Sequence, residues 1–242
     1  MTRRNLTKYI RLPQLVVFST IQPIMFVLMF SYVFGGAIQI PGQSYISYLI
    51  PGIIVQTVLF GAMITGLGLA EDVSRGMIDR FRSLPMSRGA VLAGRTIADL
   101  IRNIFVILLM FGVGYLIGFR FQGSFGDSMA AFVLALLFGF AFSWISAAIG
   151  MAVKNVETAQ SAGFIWIFPL AFISSIFVPI ETMNKYLKGF ADINPVTYTV
   201  NAVRALSLNQ PVGDNIIYAL IWIAAILTVF IPIAIRSYRR LS

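Results

Sequence analysis

Between Leu12 and Ala70 the chain runs for 59 residues without one charged side chain. A fold surrounded by water has no use for such a stretch, because polar side chains must cover its surface. A bilayer has: about 20 apolar residues in helical form cross its hydrocarbon core, and the helix pairs every backbone polar group internally. The run is too long for one crossing and suits two, with Gly35-Gly36 and Pro41-Gly42 as turn signals in its middle. Composition agrees. Of 242 residues, 58% are apolar and 11% charged, against about 25% charged in a soluble domain, and the mean hydropathy is +0.86.

The same reading, carried along the chain, predicts an all-α integral membrane protein folded as one domain over residues 1–242. Six spans are expected, at about Gln14–Phe34, Tyr45–Leu69, Ala90–Gly118, Ser128–Val153, Thr158–Pro179 and Asn215–Ile235. The third is extended backwards from the charge-free run Asn103–Phe119, because Arg95, Asp99 and Arg102 fall on one helix face. This charge ladder is expected in the aqueous interface, leaving the cores of all six spans free of charge. The first apolar stretch is too long for the core of a cleavable signal peptide.

Basic residues set the orientation. With the N-terminus cytoplasmic, 14 of the 18 Lys and Arg residues fall inside and only Arg120, Lys185, Lys188 and Arg204 outside. Acids divide five inside and four outside, so the net charge of +9 lies wholly on the inner side. Membrane orientation accounts for the basic excess, and nucleic acid is not needed to explain it.

Three segments outside the spans invite a role. Thr2–Pro13 has apolar residues at helical spacing among Arg3, Arg4, Lys8 and Arg11, which suits an interfacial helix. Glu71–Leu84 reads as a charged amphipathic helix, opened by acids, closed by bases and ended by Pro85. It suits lipid headgroups or a groove on a cytosolic partner equally well. The 36 residues from Pro179 to Asp214 read as two short helices around Asn194-Pro195. The second, Val196–Leu208, is too apolar for water and suggests a re-entrant pair in the outer leaflet.

Several kinds of chemistry are missing. With no Cys and no His there is no disulfide, thiol nucleophile, imidazole base or thiolate metal site. Polar residues within the spans, such as Gln22, Gln56, Thr57, Thr65, Ser143 and Ser146, are expected to join helices by hydrogen bonds. None of the four lysines follows a Gly, so no phosphate-binding loop exists. Uphill transport by this chain would draw its energy from another polypeptide.

Four stretches in order along the chain resemble the membrane subunit of an ABC exporter of the ABC-2 type, nearest to the daunorubicin-resistance and nodulation-export permeases. They are Gln22-Pro23 with Phe34-Gly35-Gly36; Pro51-Gly52; Glu71-Asp72 through Gly76 and Arg80-Phe81-Arg82-Ser83-Leu84-Pro85 to Gly94-Arg95; and Asn194-Pro195 through Ala202-Val203-Arg204-Ala205-Leu206. The resemblance implies a permease without its own catalytic, metal or nucleotide site. ATP and Mg would bind a separate ATPase subunit, and a second permease copy or a related permease would complete the membrane half. It implies a prokaryotic inner-membrane location with both termini cytoplasmic. Glu71, Asp72, Arg75, Gly76, Met77, Arg80, Phe81 and Leu84 would form the coupling helix, with Lys154 and Glu157 as a second contact on the ATPase. Asn194, Pro195 and Arg204 would belong to an outer gate.

The family's translocation path lies between two membrane halves, and spans 1, 2 and 5 would line it here. The implied path residues are Gln22, Phe26, Phe30, Gln56, Thr57, Phe60 and Phe168, with Met63, Phe164 and Phe172 near them. A path of Phe and Met without fixed charge favours a hydrophobic or amphipathic cargo, such as a drug, an antibiotic or a lipid, over a lipid-linked glycan. The competing reading from another class is a stand-alone passive channel or lipid-binding membrane protein, which would need no ATPase.

Overall fold

The computed structural model describes residues 13–38, 40–76, 88–153 and 155–240. Among them are eight α-helices and no strand: α1 Pro13–Met29, α2 Tyr45–Ser74, α3 Arg88–Leu116, α4 Phe125–Ala152, α5 Val156–Phe172, α6 Lys185–Ile193, α7 Pro195–Ser207 and α8 Asn215–Arg240. A π-helical turn, Phe30–Phe34, prolongs α1. Helices α2, α3, α4 and α8 are long and apolar enough to cross a membrane. Helices α1 and α5 have 17 residues each, about 26 Å at 1.5 Å per residue.

Burial follows the pattern of each helix. Helix α2 is apolar all round, which marks a helix with neighbours on every side, and 72% of its most apolar window is buried against 17% for α8. It packs on α4, α3, α5, α7 and α1, while α8 closes the far side of α4 and α7. Helix α3 is an amphipathic helix turned inside out. Its polar residues Thr96, Asp99, Arg102 and Asn103 are buried, and Ile97, Ile101, Phe105 and Leu108 are exposed. Only a solvent of hydrocarbon rewards that arrangement.

The central α2–α4 contact depends on small residues that let two backbones meet, as membrane helices without a hydrophobic driving force require. A Cβ on Gly66 would lie 2.5 Å from the Ser146 carbonyl oxygen, and one on Gly150 would strike the backbone of Gly66. Large side chains fill the remaining space, with the rings of Phe138 and Phe142 of α4 tilted by 35° at 4.3 Å between centroids.

The helix limits depart from the sequence reading in four places, one being α8, which continues five residues past Ile235 to Arg240. Helix α2 does not stop at Leu69 but continues to Ser74, so Glu71 and Asp72 form its last turn rather than the start of a new helix. Carboxylates oppose the dipole at a helix C-terminus. Here Arg75 offsets Glu71 at 2.7 Å and Arg95 of α3 approaches Asp72 at 3.8 Å. Helix α5 ends at Phe172, seven residues before the expected limit, and the chain turns through Ile173–Val178. Helix α4 begins at Phe125, three residues early, because Ser124 and Asp127 form a reciprocal capping box.

Candidate functional site

Helices α2 and α3 run antiparallel, and two glycines of α2 make room for two arginines of α3. A Cβ on Gly61 would lie 2.8 Å from Arg102 Nη2, and one on Gly68 would collide with the Arg95 guanidinium. Both pairs are seven residues apart, two helical turns, so the seats repeat on one face of each helix. Between them the Thr65 hydroxyl donates to Asp99 Oδ2 at 2.6 Å. Arg95 Nε lies 3.8 Å from the same carboxylate oxygen. Arg102 Nη2 donates to the Gly61 carbonyl at 2.8 Å and to Asn103 Oδ1 at 3.1 Å.

The ladder is therefore packed between helices rather than open to water. Asp99 and Arg102 are buried, and Gly61, which Arg102 faces, is near the middle of α2, roughly 24 Å from its Tyr45 end and 20 Å from its Ser74 end by helical rise. Two clues in the sequence pointed this way. Arg102 follows Arg88, where α3 begins, by about 21 Å of helix. The charge-free run after Arg102 is also shorter than a crossing needs.

Arg102 opens onto a cavity of about 150 Å³ bounded by α1, α2, α3 and α5. Five of the implied path residues line it together: Gln22, Phe26, Gln56, Thr57 and Phe60. Phe164 and Met63 join them. Phe30 and Phe168 do not reach the cavity and belong instead to an aromatic series that leads away from it. Along α5, the rings of Phe164, Phe168 and Phe172 follow one another at 5.2 and 5.5 Å, with Phe60 edge-on to Phe168 at 5.6 Å. The series continues through Phe177 at 5.3 Å to Phe30 and Phe34, at 4.4 and 5.2 Å. The expectation of a lining without fixed charge is corrected by Arg102. The expected bonding between helices is corrected at Thr57 and Ser143, whose hydroxyls turn back to carbonyls of their own helices.

The three residues assigned to an outer gate all belong to the α7 segment, Asn194 and Pro195 at its start and Arg204 in its last turn. Asn194 caps α7 with its side-chain oxygen, which accepts from the Val196 amide at 2.9 Å. Its Nδ2 donates to the carbonyls of Leu170 and Ile173 at 2.8 and 2.7 Å. One side chain thus starts α7 and satisfies the open end of α5, which is why α5 can stop inside the protein. Pro195 follows at the first helical position, where its missing N–H costs nothing. Arg204 is buried and spends its fork on oxygen atoms from three elements: Tyr48 O at 2.9 Å, Ser175 O at 2.7 Å and Asn201 Oδ1 at 2.9 Å. Its guanidinium lies 3.6 Å above the Tyr48 ring. Tyr48 and Tyr45 in turn donate to the carbonyls of Ser175 and Phe177. A polar cavity of about 270 Å³ adjoins this knot, with Glu181 and Gln210 on its wall.

Of the residues assigned to ATPase coupling, Glu71, Asp72, Arg75 and Gly76 end α2, with Gly76 in the left-handed region at φ +63°. Glu157 is in the first turn of α5. Met77, Arg80, Phe81, Leu84 and Lys154 lie outside the described residues.

Comparison with known proteins gives the geometry a context. The family model for ABC-2 type transporters matches residues 1–208. The daunorubicin resistance ABC transporter permease protein DrrB1 of Streptomyces coeruleorubidus is 33% identical over 236 residues, covering 98% of this chain and 83% of that protein. A Mycobacterium tuberculosis protein named "Probable doxorubicin resistance ABC transporter permease protein DrrC" is 27% identical over 249 residues, with 100% and 87% covered. An Escherichia coli K12 protein named "Probable multidrug ABC transporter permease YbhR" is 22% identical over 193 residues, with 78% and 50% covered.

Proposed function

The chain belongs to the ABC-2 type transporter family as the membrane permease subunit of an ABC exporter, and we propose that its cargo is a hydrophobic or amphipathic molecule carried outward. The observation that carries this reading is the cavity at mid-depth continuing into a series of phenylalanine rings. Flat, polarisable faces give many weak contacts and few directional demands, which suits cargo of variable shape. Resistance to daunorubicin, the property named for the relative that aligns over 98% of this chain, fits such a surface. A glycan would find few partners there for its hydroxyl groups.

In this reading the chain crosses the membrane six times, α1 with its π-turn and α5 being the two short crossings. Both termini and the segment after α2 face the cytoplasm of a prokaryotic cell, as the 14-to-4 distribution of basic residues favours. Helices α6 and α7 form a re-entrant pair in the outer leaflet. Support comes from α7, which is buried along most of its length yet has only 13 residues, about 20 Å and too short to cross. The segment from Glu71 to Leu84 docks as a coupling segment on an ATPase subunit, which itself binds ATP and Mg, and Lys154 with Glu157 makes a lesser contact. Two permeases complete the path, with the exposed rings of Phe168 and Phe172 facing the space between them.

Reconstitution of the permease with its ATPase subunit in inside-out vesicles tests the proposal. Accumulation of a lipophilic drug should require ATP. Stimulation of ATP turnover by lipid-linked glycans, with no response to drugs or free lipids, would overturn the cargo while leaving the family intact.

A further inference from the structure

We propose that the cavity beside Arg102 is a head-group site, which takes the anionic or oxygen-rich end of an amphipathic molecule while its apolar body lies along the phenylalanine series. The inference rests on the exporter reading and narrows it. Three observations lead to it.

The first is size. A volume of about 150 Å³ accommodates about one benzene ring in a protein interior. The cavity therefore holds one end of a drug-sized or lipid-sized molecule, and the remainder must extend out of it. Phe60 and Phe164 stand at the cavity wall and begin the ring series, so an apolar body has a continuous surface to follow.

The second is sign. Among the described residues that line the cavity, Arg102 is the one charged side chain, with Gln22, Gln56, Thr57 and Asn103 as neutral polar neighbours. The carboxylate of Asp99 is one turn behind it on α3, where Thr65 and Arg95 bind it. Arg102 thus brings a positive charge to the cavity wall. In a low-dielectric interior that charge favours an anion or a carbonyl oxygen and disfavours an ammonium group.

The third is depth. An arginine at the middle of a membrane helix is costly, and such residues face a cavity or a pathway. Gly61 and Gly68 give the two guanidiniums their room, since a Cβ at either position would meet the facing arginine. A guanidinium needed only to hold α2 against α3 would have no reason to open onto a cavity.

Anilinonaphthalene sulfonate and its uncharged parent phenylnaphthylamine share one aromatic skeleton and differ by the sulfonate. Their binding is measured without nucleotide, on the full chain with its ATPase subunit, in phosphatidylcholine nanodiscs. Subtracting the signal of the Gln22→Trp variant, whose new ring plugs the exposed mouth, removes partition into lipid. The sulfonate should bind about tenfold or more tightly than the parent, the usual worth of a hydrogen bond to a charged group. Arg102→Gln should bring the two probes within about twofold of each other by weakening the sulfonate, and Arg102→Lys should retain part of the preference. Equal binding of both probes to the wild-type protein overturns the proposal, as does a preference that survives Arg102→Gln or a signal that Gln22→Trp leaves unchanged. If Arg102→Gln does not fold, the wild-type preference and the Gln22→Trp subtraction still decide. Adding phosphatidylglycerol to the nanodiscs separates the sources: displacement of the sulfonate makes the ligand a lipid head group, and persistence makes it a solute. Because no ATP is used, a negative result here leaves the exporter reading standing, and failure of ATP-driven uptake leaves this site standing.

Discussion

The Thr65 hydroxyl donates to the Asp99 carboxylate at 2.6 Å across the buried contact of two membrane helices. Around that bond the structure gathers Arg95, Arg102 and Asp72, so charges that the linear sequence would set at a membrane surface become the polar core of the bundle.

Removing one member of this core should be far worse than removing a hydroxyl elsewhere. Asp99→Ala leaves buried guanidinium without its carboxylate and should cost about 3 kcal/mol or more. Thr65→Val should cost about 1 kcal/mol, and Thr57→Val less, because that hydroxyl only turns back to Ile53 O of its own helix. Thermal midpoints in detergent should fall in that order. A Thr57→Val effect as large as that of Asp99→Ala would contradict it.

The α2–α4 crossing should tolerate no side chain at its closest point. Gly150→Leu or Gly66→Leu forces the backbones apart and should abolish folded protein in size-exclusion chromatography. Gly112→Ala, where nothing lies within 4 Å of the added carbon, should be neutral or slightly stabilising, since Ala suits a helix better by about 1 kcal/mol.

Arg204→Lys should not rescue Arg204→Ala. One ammonium cannot reach Tyr48 O, Ser175 O and Asn201 Oδ1 in the planar fork that arginine supplies. Both variants should reach the membrane, lose cargo transport and keep basal ATP hydrolysis in the reconstituted complex. Full transport by Arg204→Lys would remove this junction from the outer gate.

Topology can be read directly, because the chain has no cysteine. Single cysteines at Ser87 and Asn184 should react with an impermeant maleimide from opposite faces of the membrane. Labelling of both from one face would end the six-span arrangement.

The segment after α2 should transmit ATP hydrolysis. Phe81→Ala should weaken binding of the ATPase subunit by about 2 kcal/mol, as loss of a buried aromatic anchor commonly does. Co-purification and drug-stimulated ATP turnover measure it, and unchanged values would remove the coupling role from this segment.

The sequence by itself determined the medium and the material of this fold. Long runs without charge can be covered only by lipid, and a helix is the form that leaves no backbone group unpaired there. The glycine and proline positions marked where the runs break, and Asn194-Pro195 marked the start of α7. Tertiary structure alone decided where the polar atoms go. Helix α5 stops at Phe172 because Asn194, 22 residues later, donates its side-chain amide to the open carbonyls of that end; no local propensity in Thr158–Pro179 contains that information. Arg95 and Arg102 looked interfacial by their spacing on one helix, and they became internal because Gly61 and Gly68 of another helix leave room for guanidinium. A charge in a membrane is stable only where a partner and a space coincide, and both are supplied by residues that are distant in the chain and adjacent only after folding.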